Sequence, residues 1–331
     1  MTSLDEQNLR LLYVLTDLVA PLMAGYFLKQ KHIISDRNIN KLIRFNVICV
    51  YTLLSLLSFW VLPLTRELAL IPLYGFLFIL FPGAIGLVLI RRFRNYLDKG
   101  AYLASAMLAN IGTLGGVCAF ILYNEQGFAY AQLIGTCQNI MLVLLVFPFA
   151  QYCYMKQHRE PAPETEKPSG KGLRKGSRRW DFIHMFFSWN QLSLVGMLAG
   201  LLLHGLGIER PQSLAPLFQS LVHFGAWTAM LPVGFLIDFS RARRYLKYVL
   251  DLAALRFLIV PAFIYITSRL VFDDQVLLST FLILATTPTA INAVLASRLY
   301  QLRVDLAISS FILTTALYLL LVFPALFFLL R

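Results

Sequence analysis

The residues best suited to chemistry are polar and helix-breaking groups inside two apolar runs. The stretch TTPTAINAVLAS, Thr286 to Ser297, carries Pro288 and Asn292. An earlier stretch, ANIGTLGG, Ala109 to Gly116, carries three glycines and Asn110. In hydrocarbon an unpaired backbone group is costly, so an interruption is tolerated only where protein or a water-filled cavity receives the freed groups. Two interrupted runs at matching places in two halves of a chain indicate a carrier's binding site.

The groups at these interruptions suit an anionic ligand. An asparagine amide offers two donors and an acceptor. Where two broken helices cross, their N-termini would direct free N–H groups and positive dipole ends to the middle of the membrane. A carboxylate fits there, and the amides would fix its orientation. The residues predicted to bind substrate are Asn110, Gly112, Gly115, Gln138, Asn139, Pro288, Thr289 and Asn292.

Structural explanations for the same residues stay open. An asparagine within a span can form a helix–helix hydrogen bond, and Gly112 and Gly116 have the spacing of close helix packing. Thr289 could bond to a carbonyl of its own helix. In the functional interpretation, Pro288 and the glycines of the earlier stretch, including Gly115, make the two breaks.

Three ionisable residues lie within apolar runs: Asp17, Asp251 and Arg256. Asp251 and Arg256 are five residues apart and would point about 140° away from each other on a helix, so each needs a partner elsewhere. Arg256 could attract an anionic substrate or pair with a carboxylate. Asp17 could carry a coupling proton or cap a neighbouring polar group.

No pattern in the sequence indicates catalysis. It contains no nucleophile elbow, P-loop or zinc motif. Its four cysteines and five histidines lack metal-ligand spacing. His223, the histidine deepest in an apolar run, is interpreted as a packed, hydrogen-bonded side chain, with a proton-relay role as the alternative. We therefore expect no enzyme activity, no catalytic residue, no metal and no cofactor.

Composition indicates an all-α integral membrane protein. Of the 331 residues, 58% are hydrophobic and only 14% are charged, against about 25% charged in soluble domains. A helix needs about 20 apolar residues to cross the hydrocarbon. The sequence predicts ten such spans, roughly 11–29, 42–62, 68–90, 101–123, 130–154, 182–206, 214–238, 246–268, 276–298 and 304–330.

The basic residues support this count. The loops joining spans one and two, three and four, five and six, seven and eight, and nine and ten, counted with their helix ends, hold 23 of the 29 Lys and Arg residues. The opposite side holds 5, and Arg256 lies within a span. Basic loops face the cytoplasm, so we expect both termini outside. The sequence shows no targeting extension, so we expect a bacterial inner membrane. This placement of the net charge of +12 argues against nucleic-acid binding.

Residues 156–181 form a basic linker between two halves, 1–155 and 182–331. It is expected to be cytoplasmic and to contact anionic lipid, with a regulatory partner as the alternative. Five spans on each side reverse the second half, so any repeat must be inverted. GMLAG, Gly196 to Gly200, predicts a close-packed helix face, either within one chain or in a homodimer.

Several motifs resemble the auxin efflux carrier family of membrane transporters, which includes the plant PIN proteins and bacterial malonate or malate permeases. The matching segments are GYFLKQKHIIS (25–35), LIRFN (42–46), ANIGTLGG (109–116), LYNEQGFAYA (122–131) and PTAINAVLASRLY (288–300). They cover both halves of the chain.

The resemblance implies an inverted five-plus-five repeat in which spans four and nine are broken and cross. It implies a scaffold of spans one, two, six and seven, and a mobile group that moves in an elevator-like manner around the crossover. By matching motif, Asn110, Pro288 and Asn292 fall at the crossover. The family often has proline where Val117 and Val50 stand here, so the break in span four is expected to depend on glycines.

We therefore expect a secondary carrier that exports a small organic anion, such as a mono- or dicarboxylate or an auxin-like acid. Proton or sodium coupling stays open. One alternative is a sodium-coupled importer with bile-acid-symporter architecture, which needs acidic groups near the crossover, where this sequence has none. Another is a receptor or assembly protein that keeps the fold without transport, an idea motivated by Val117.

Overall fold

The computed structural model describes residues 12–62, 67–158, 192–237 and 245–330. Within these ranges the regular structure is helical, and no strand forms beyond an isolated bridge between Ala109 and Thr289. The helices are α1 (Val14–Val19 and Ala20–Gln30), α2 (Asp36–Val61), α3 (Ile71–Arg92), α4 (Tyr96–Met107), α5 (Ile111–Gln157), α6 (Leu192–Gly205), α7 (Leu214–Leu236), α8 (Leu246–Arg269), α9 (Gln275–Ala285), α10 (Ile291–Leu299) and α11 (Val304–Leu329).

Each of the ten predicted spans overlaps one or two of these helices. By length and composition, five described helices could cross a membrane, namely α2, α3, α5, α8 and α11, and α6 and α9 are apolar but shorter. The prediction of ten crossings remains a prediction. Residues 182–191 of the sixth predicted span and residues 159–181 of the predicted linker lie outside the described residues. The helix α5 extends to Gln157, into the start of that linker.

The long helix α5 contains a chain reversal. Tyr123 has φ −130° and ψ 19°, and Asn124 has φ 52° and ψ −143°. Positive φ is rare outside glycine, and asparagine enters that region more readily than most residues. The reversal divides α5 into an N-terminal arm, residues 111–122, and a C-terminal arm, residues 125–157. Predicted spans four and five are therefore separated at this point, as the sequence predicted.

Proline explains several irregular turns in these helices. Four π-helical segments end two residues before a proline: Pro21, Pro148, Pro261 and Pro324. Proline lacks an N–H group, and its ring clashes with the carbonyl four residues earlier. A wider π turn relieves that clash, and the helix continues with a small bend.

Glycines bring two helix pairs into close contact. A Cβ atom at Gly25 of α1 would overlap the carbonyl oxygen of Leu231 in α7. In the second pair, Cβ atoms at Gly196 and Gly200 of α6 would overlap the carbonyl oxygens of Thr52 and Leu56 in α2. The GMLAG motif therefore packs within the chain, which answers the question that the sequence left open.

The other helices pack around the two breaks in the chain. The helices α3 and α9 pack on α5, and α8 packs on α11. The helix α4 lies against α3, α10 and α11. This group buries the largest apolar cluster of the described residues, which includes Tyr102, Phe78 and Phe281. The two breaks are thus surrounded by protein rather than by lipid.

Candidate functional site

The two broken segments meet in an antiparallel crossing. The helix α4 ends at Met107 and α5 begins at Ile111, while α9 ends at Ala285 and α10 begins at Ile291. Between them, the N–H of Asn110 donates to the carbonyl of Pro288 at 2.8 Å, and the N–H of Ala290 donates to the carbonyl of Leu108 at 2.9 Å. Each break thus receives backbone groups freed by the other, which is what hydrocarbon requires.

Each residue of the bridge, Ala109 and Thr289, is also held by a side chain from another part of the chain. The Gln138 amide donates to the carbonyl of Ala109 at 2.7 Å and accepts from the N–H of Ala109 at 3.0 Å. The Thr314 hydroxyl accepts from the N–H of Thr289 at 3.0 Å. The Thr289 hydroxyl donates to the carbonyl of Ser105 at 3.2 Å. Thr289 therefore bonds another helix, and not a carbonyl of its own.

Sequence reasoning missed Thr314 and Ser105 as parts of this crossing. Thr314 lies in the hydroxyl-rich run SSFILTTAL, residues 309–317, which was the available signal for it. Ser105 takes part through its backbone carbonyl, for which the sequence carries no signal. Hydroxyls in such a run usually bond back to their own helix, as Ser310 does to Leu306. Thr314 bonds back to Ser310 and also accepts from the crossing.

Arg256 belongs to α8, and its side chain contacts the last turn of α4. This role was not predicted from the sequence. Arg256 is 1% exposed, and its Nη2 donates to the carbonyl oxygens of Ala106 at 2.6 Å and Ser105 at 3.3 Å. These carbonyls belong to the last turn of α4, where a helix lacks internal partners and carries partial negative charge. Its Nε has no partner among the described residues. Arg256 thus caps a half-helix and places a positive charge near the crossing.

The starts of α5 and α10 are available to an anion. Neither helix has a side-chain cap, so the first N–H groups of each have no partner of that kind. The Asn110 side-chain oxygen accepts from the Thr113 hydroxyl, and its Nδ2 has no partner among the described residues, although Asn110 is only 4% exposed. A Cβ atom at Gly112 would meet no atom within 4 Å, so space is open beside this helix start.

The remaining predicted residues divide into two groups. Asn139 and Asn292 are half-buried, and neither side chain forms a hydrogen bond with another described residue. Gln138 is buried and fully engaged with Ala109. The crossing therefore brings Asn110, Pro288, Thr289 and Gln138 together, while Asn292 is the second residue of α10.

The expectation that glycines make the first break is wrong. The non-helical residues are Leu108 to Asn110, and Gly112 and Gly115 lie in the following helical turn. The backbone bridge holds the break, so glycine's conformational freedom is not required there. Gly115 serves packing instead, because a Cβ atom on it would lie 2.7 Å from Cδ2 of Leu284.

Asp17 has its partner on α7, away from the bridge. Its Oδ2 lies 2.6 Å from Nδ1 of His223, and Asp17 is 3% exposed. The imidazole packs between the rings of Tyr13 and Phe120, with centroids 4.4 and 6.0 Å away. His223 is thus packed and hydrogen-bonded, and this contact does not decide between a structural role and a proton relay with Asp17. Phe120 belongs to the N-terminal arm of α5, so this pair borders the broken helix.

Asp251, near the start of α8, forms an ion pair with Arg92 at the end of α3. Its carboxylate lies 2.7 Å from Nη1 of Arg92 and accepts from the Tyr102 hydroxyl at 2.7 Å. As expected from their spacing, Asp251 and Arg256 do not share a partner. Within the described ranges, no group of three or more His, Cys, Asp or Glu residues could hold a metal ion.

Comparison with known proteins places the chain in a transport family. The family model described as a membrane transport protein matches residues 14–327. No curated protein matches the chain.

Proposed function

The chain belongs to the membrane transport protein family, of the auxin efflux carrier type, and from this premise we propose that it exports a small organic anion through the crossover. The substrate is a mono- or dicarboxylate or an auxin-like acid. The substrate-binding groups are the helix starts at Asn110 and Ile291 with the amides of Asn110, Asn139 and Asn292. Transport involves no covalent chemistry.

One observation carries this proposal above the others. The Asn110 amide nitrogen is buried without a partner among the described residues, at an uncapped helix start, and Gly112, two residues further on, borders open space. A buried donor left unpaired is unfavourable by about 1–3 kcal/mol. A carboxylate that occupied this space would accept from Asn110 and from the helix N–H groups together, so binding would remove that penalty.

The charge around the crossing favours an anion over a cation. Arg256 contributes a buried positive charge whose described partners are neutral carbonyls. Neither broken stretch, 105–116 or 285–292, contains an acidic residue. A sodium site of the bile-acid-symporter kind needs carboxylate and amide oxygens. This difference supports organic-anion transport without a sodium ion bound at the crossing.

Repeated features in the two halves support an inverted repeat. Asn124 and Gln301 each follow a Leu-Tyr pair and each have φ 52°. The side chains of Asn95 and Asp274 accept from backbone N–H groups at the starts of α4 and α9. The pairs of helices also correspond, because α1 packs on α7 as α6 packs on α2. Gly25 and Gly200 make equivalent close contacts in these pairs.

In this proposal the pairs α1·α7 and α2·α6 form the scaffold, and the remaining helices form the mobile group. Close glycine contacts bind each scaffold pair tightly. A membrane potential, negative inside, contributes about 2.3 kcal/mol per 100 mV for each negative charge that leaves. That energy is sufficient to drive efflux without a coupling ion. Proton coupling, if present, is assigned to Asp17 with His223, and Asp17→Asn would abolish any dependence of flux on a pH gradient.

The proposal includes a topology. Both termini lie outside a bacterial inner membrane, and the basic linker, residues 156–181, lies on the cytoplasmic side against anionic lipid. A homodimer is compatible with this arrangement. Protease protection of tags placed at each end and in the linker of the protein in oriented membrane vesicles would test the topology directly.

Flux in proteoliposomes tests the function. Radiolabelled mono- and dicarboxylates and indole-3-acetate are supplied under a set membrane potential to wild type, Asn110→Ala, Asn292→Ala and the control Asn38→Ala, which alters an exposed amide. We expect potential-driven flux that the first two variants lose and the control keeps. Flux that persists in both variants would move the site away from the crossover.

Two further results would favour the rival functions. A strict requirement for a sodium gradient would support the sodium-coupled importer. Saturable binding of an anion without flux, under any gradient, would support a receptor or assembly role on the same fold.

A further inference from the structure

The first turns of α2 carry a basic face on one side. Arg37, Asn40, Lys41 and Arg44 stand at positions i, i+3, i+4 and i+7, so they share a side of the helix. Together they line an open depression of about 490 Å³. All four residues are exposed, whereas Ile39, which points the other way, is buried. The helix is thus anchored on one side and presents the basic side to its surroundings.

No residue in the described ranges neutralises these charges. The side chains of Arg37, Lys41 and Arg44 form no ion pair or hydrogen bond with any other residue in the described ranges. Other arginines near helix ends are engaged, as Arg92 is with Asp251 and Arg303 is with Asp98. Guanidinium and ammonium groups on one face, with an amide between them, suit a phosphate group.

The surroundings of the face favour a lipid over a soluble phosphate. The helix continues from Arg37, through a π-helical segment at Asn46–Val50, into the apolar run that ends at Val61. Ile33, just before the helix, is 64% exposed, and Phe45, one residue after Arg44, is 45% exposed. A soluble phosphate gains nothing from these apolar side chains. A phospholipid places its headgroup on the bases and its acyl chains against the apolar surface.

We propose that Arg37, Asn40, Lys41 and Arg44 form a binding site for the phosphate headgroup of an anionic phospholipid, whose acyl chains run along α2 past Phe45. The bases bind the phosphate, and Asn40 donates to its oxygens or to the headgroup hydroxyls. The site depends on the chain being a membrane protein and not on the substrate of the crossover. Failure of anion transport would therefore leave it untouched.

Native mass spectrometry of the full chain in detergent tests the site. Phosphatidylglycerol and phosphatidylcholine are titrated into wild type, R37Q/K41Q/R44Q and the control R91Q/R94Q/K247Q, which removes the same number of exposed bases elsewhere. Because each base near an anionic surface contributes appreciably, we expect phosphatidylglycerol binding to weaken about tenfold or more in the first triple variant only. A photoreactive phosphatidylglycerol should label the peptide that contains residues 36–45.

The outcomes are distinct. Equal loss in both triple variants would mean general charge attraction and would overturn the site. Equal binding of phosphatidylcholine in wild type would also overturn it. Displacement of the lipid by inorganic phosphate at similar concentration would make the ligand a soluble anion. Thermal unfolding of each variant is measured in parallel. If the triple variant is unstable, single variants such as R44Q replace it, and each should weaken phosphatidylglycerol binding.

Discussion

The guanidinium of Arg256 donates to the carbonyl oxygen of Ala106 across 2.6 Å, so a buried charge from α8 closes the last turn of α4. Charged donors to backbone acceptors are among the stronger hydrogen bonds in proteins. The same arginine donates to Ser105, whose carbonyl also accepts from Thr289 of the other broken segment. Arg256, α4 and the crossing are therefore mechanically linked.

We expect Arg256→Gln to destabilise the protein by about 2–4 kcal/mol, because carbonyls at the end of α4 lose a charged donor in a buried place. Arg256→Lys should lose less, since an ammonium keeps the charge but reaches fewer acceptors. Thermal unfolding in detergent measures both. The control is Arg269→Gln, an exposed arginine at the end of the same helix, which should unfold like wild type. Equal stability of Arg256→Gln and the control would contradict the capping role.

The neighbouring amides Gln138 and Asn139 should differ in what they do. Gln138→Leu leaves both backbone groups of Ala109 without their partner, which should lower stability by about 1–3 kcal/mol. Asn139→Leu removes an amide with no described hydrogen bond and should leave stability nearly unchanged while reducing anion flux. Unfolding and flux measured on the same preparations separate the two roles. A stable Gln138→Leu variant would show that the bridge does not need this support.

The sequence located the crossing but not what supports it. Pro288 and Asn110 were identifiable because a proline or an asparagine inside an apolar run is unfavourable in a membrane, and this can be recognised from the sequence alone. The partners of Arg256 were not identifiable, because backbone carbonyls of α4 leave no trace in residue types. Asp17 and His223 lie 206 positions apart, and a long-range pair of this kind depends on helix packing. The role of the glycines was misjudged because the bridge, and not glycine, holds the break.

Two glycines three residues apart offer a matched pair of variants. Gly115→Ala places a Cβ atom 2.7 Å from Leu284 and 3.0 Å from Thr287, so packing strain of about 1–3 kcal/mol is expected. Gly112→Ala meets nothing within 4 Å and should be neutral or more stable by up to about 1 kcal/mol. Flux should nevertheless fall in Gly112→Ala, because the methyl group enters the space assigned to the anion. Thermal unfolding and transport are measured on both variants. A Gly112→Ala variant less stable than Gly115→Ala would refute both assignments.

Arg210 and Glu125 form an ion pair that transport should break. Arg210 Nη1 and Nη2 donate to the Glu125 carboxylate at 2.9 and 3.2 Å, and Nη1 also donates to the Leu57 carbonyl of α2 at 3.1 Å. Glu125 follows the reversal in α5, in the proposed mobile group, whereas Arg210 and Leu57 belong to the proposed scaffold. A movement of one group past the other separates the pair.

The ion pair of Asp98 and Arg303 provides the control for this prediction. Its 2.8 Å contact joins the starts of α4 and α11, both in the proposed mobile group, and the carboxylate of Asp98 raises the pKa of Arg303. Movement between scaffold and mobile group leaves this pair intact. Asp98→Asn should therefore change local stability without changing the conformational equilibrium.

Spin labels at the exposed positions 212 and 273, one in each group, report the separation of the two groups by pulsed electron paramagnetic resonance. The exposed Cys49 is first replaced by serine so that it is not labelled. A partly buried charged pair contributes about 1–2 kcal/mol to the arrangement in which Arg210 and Glu125 are in contact. We therefore expect Glu125→Gln to raise the population with a longer separation between the labels about tenfold. The charge swap Glu125→Arg with Arg210→Glu should restore the wild-type distribution. Distances that are the same in Glu125→Gln, Asp98→Asn and wild type would show that the pair does not hold the two groups together.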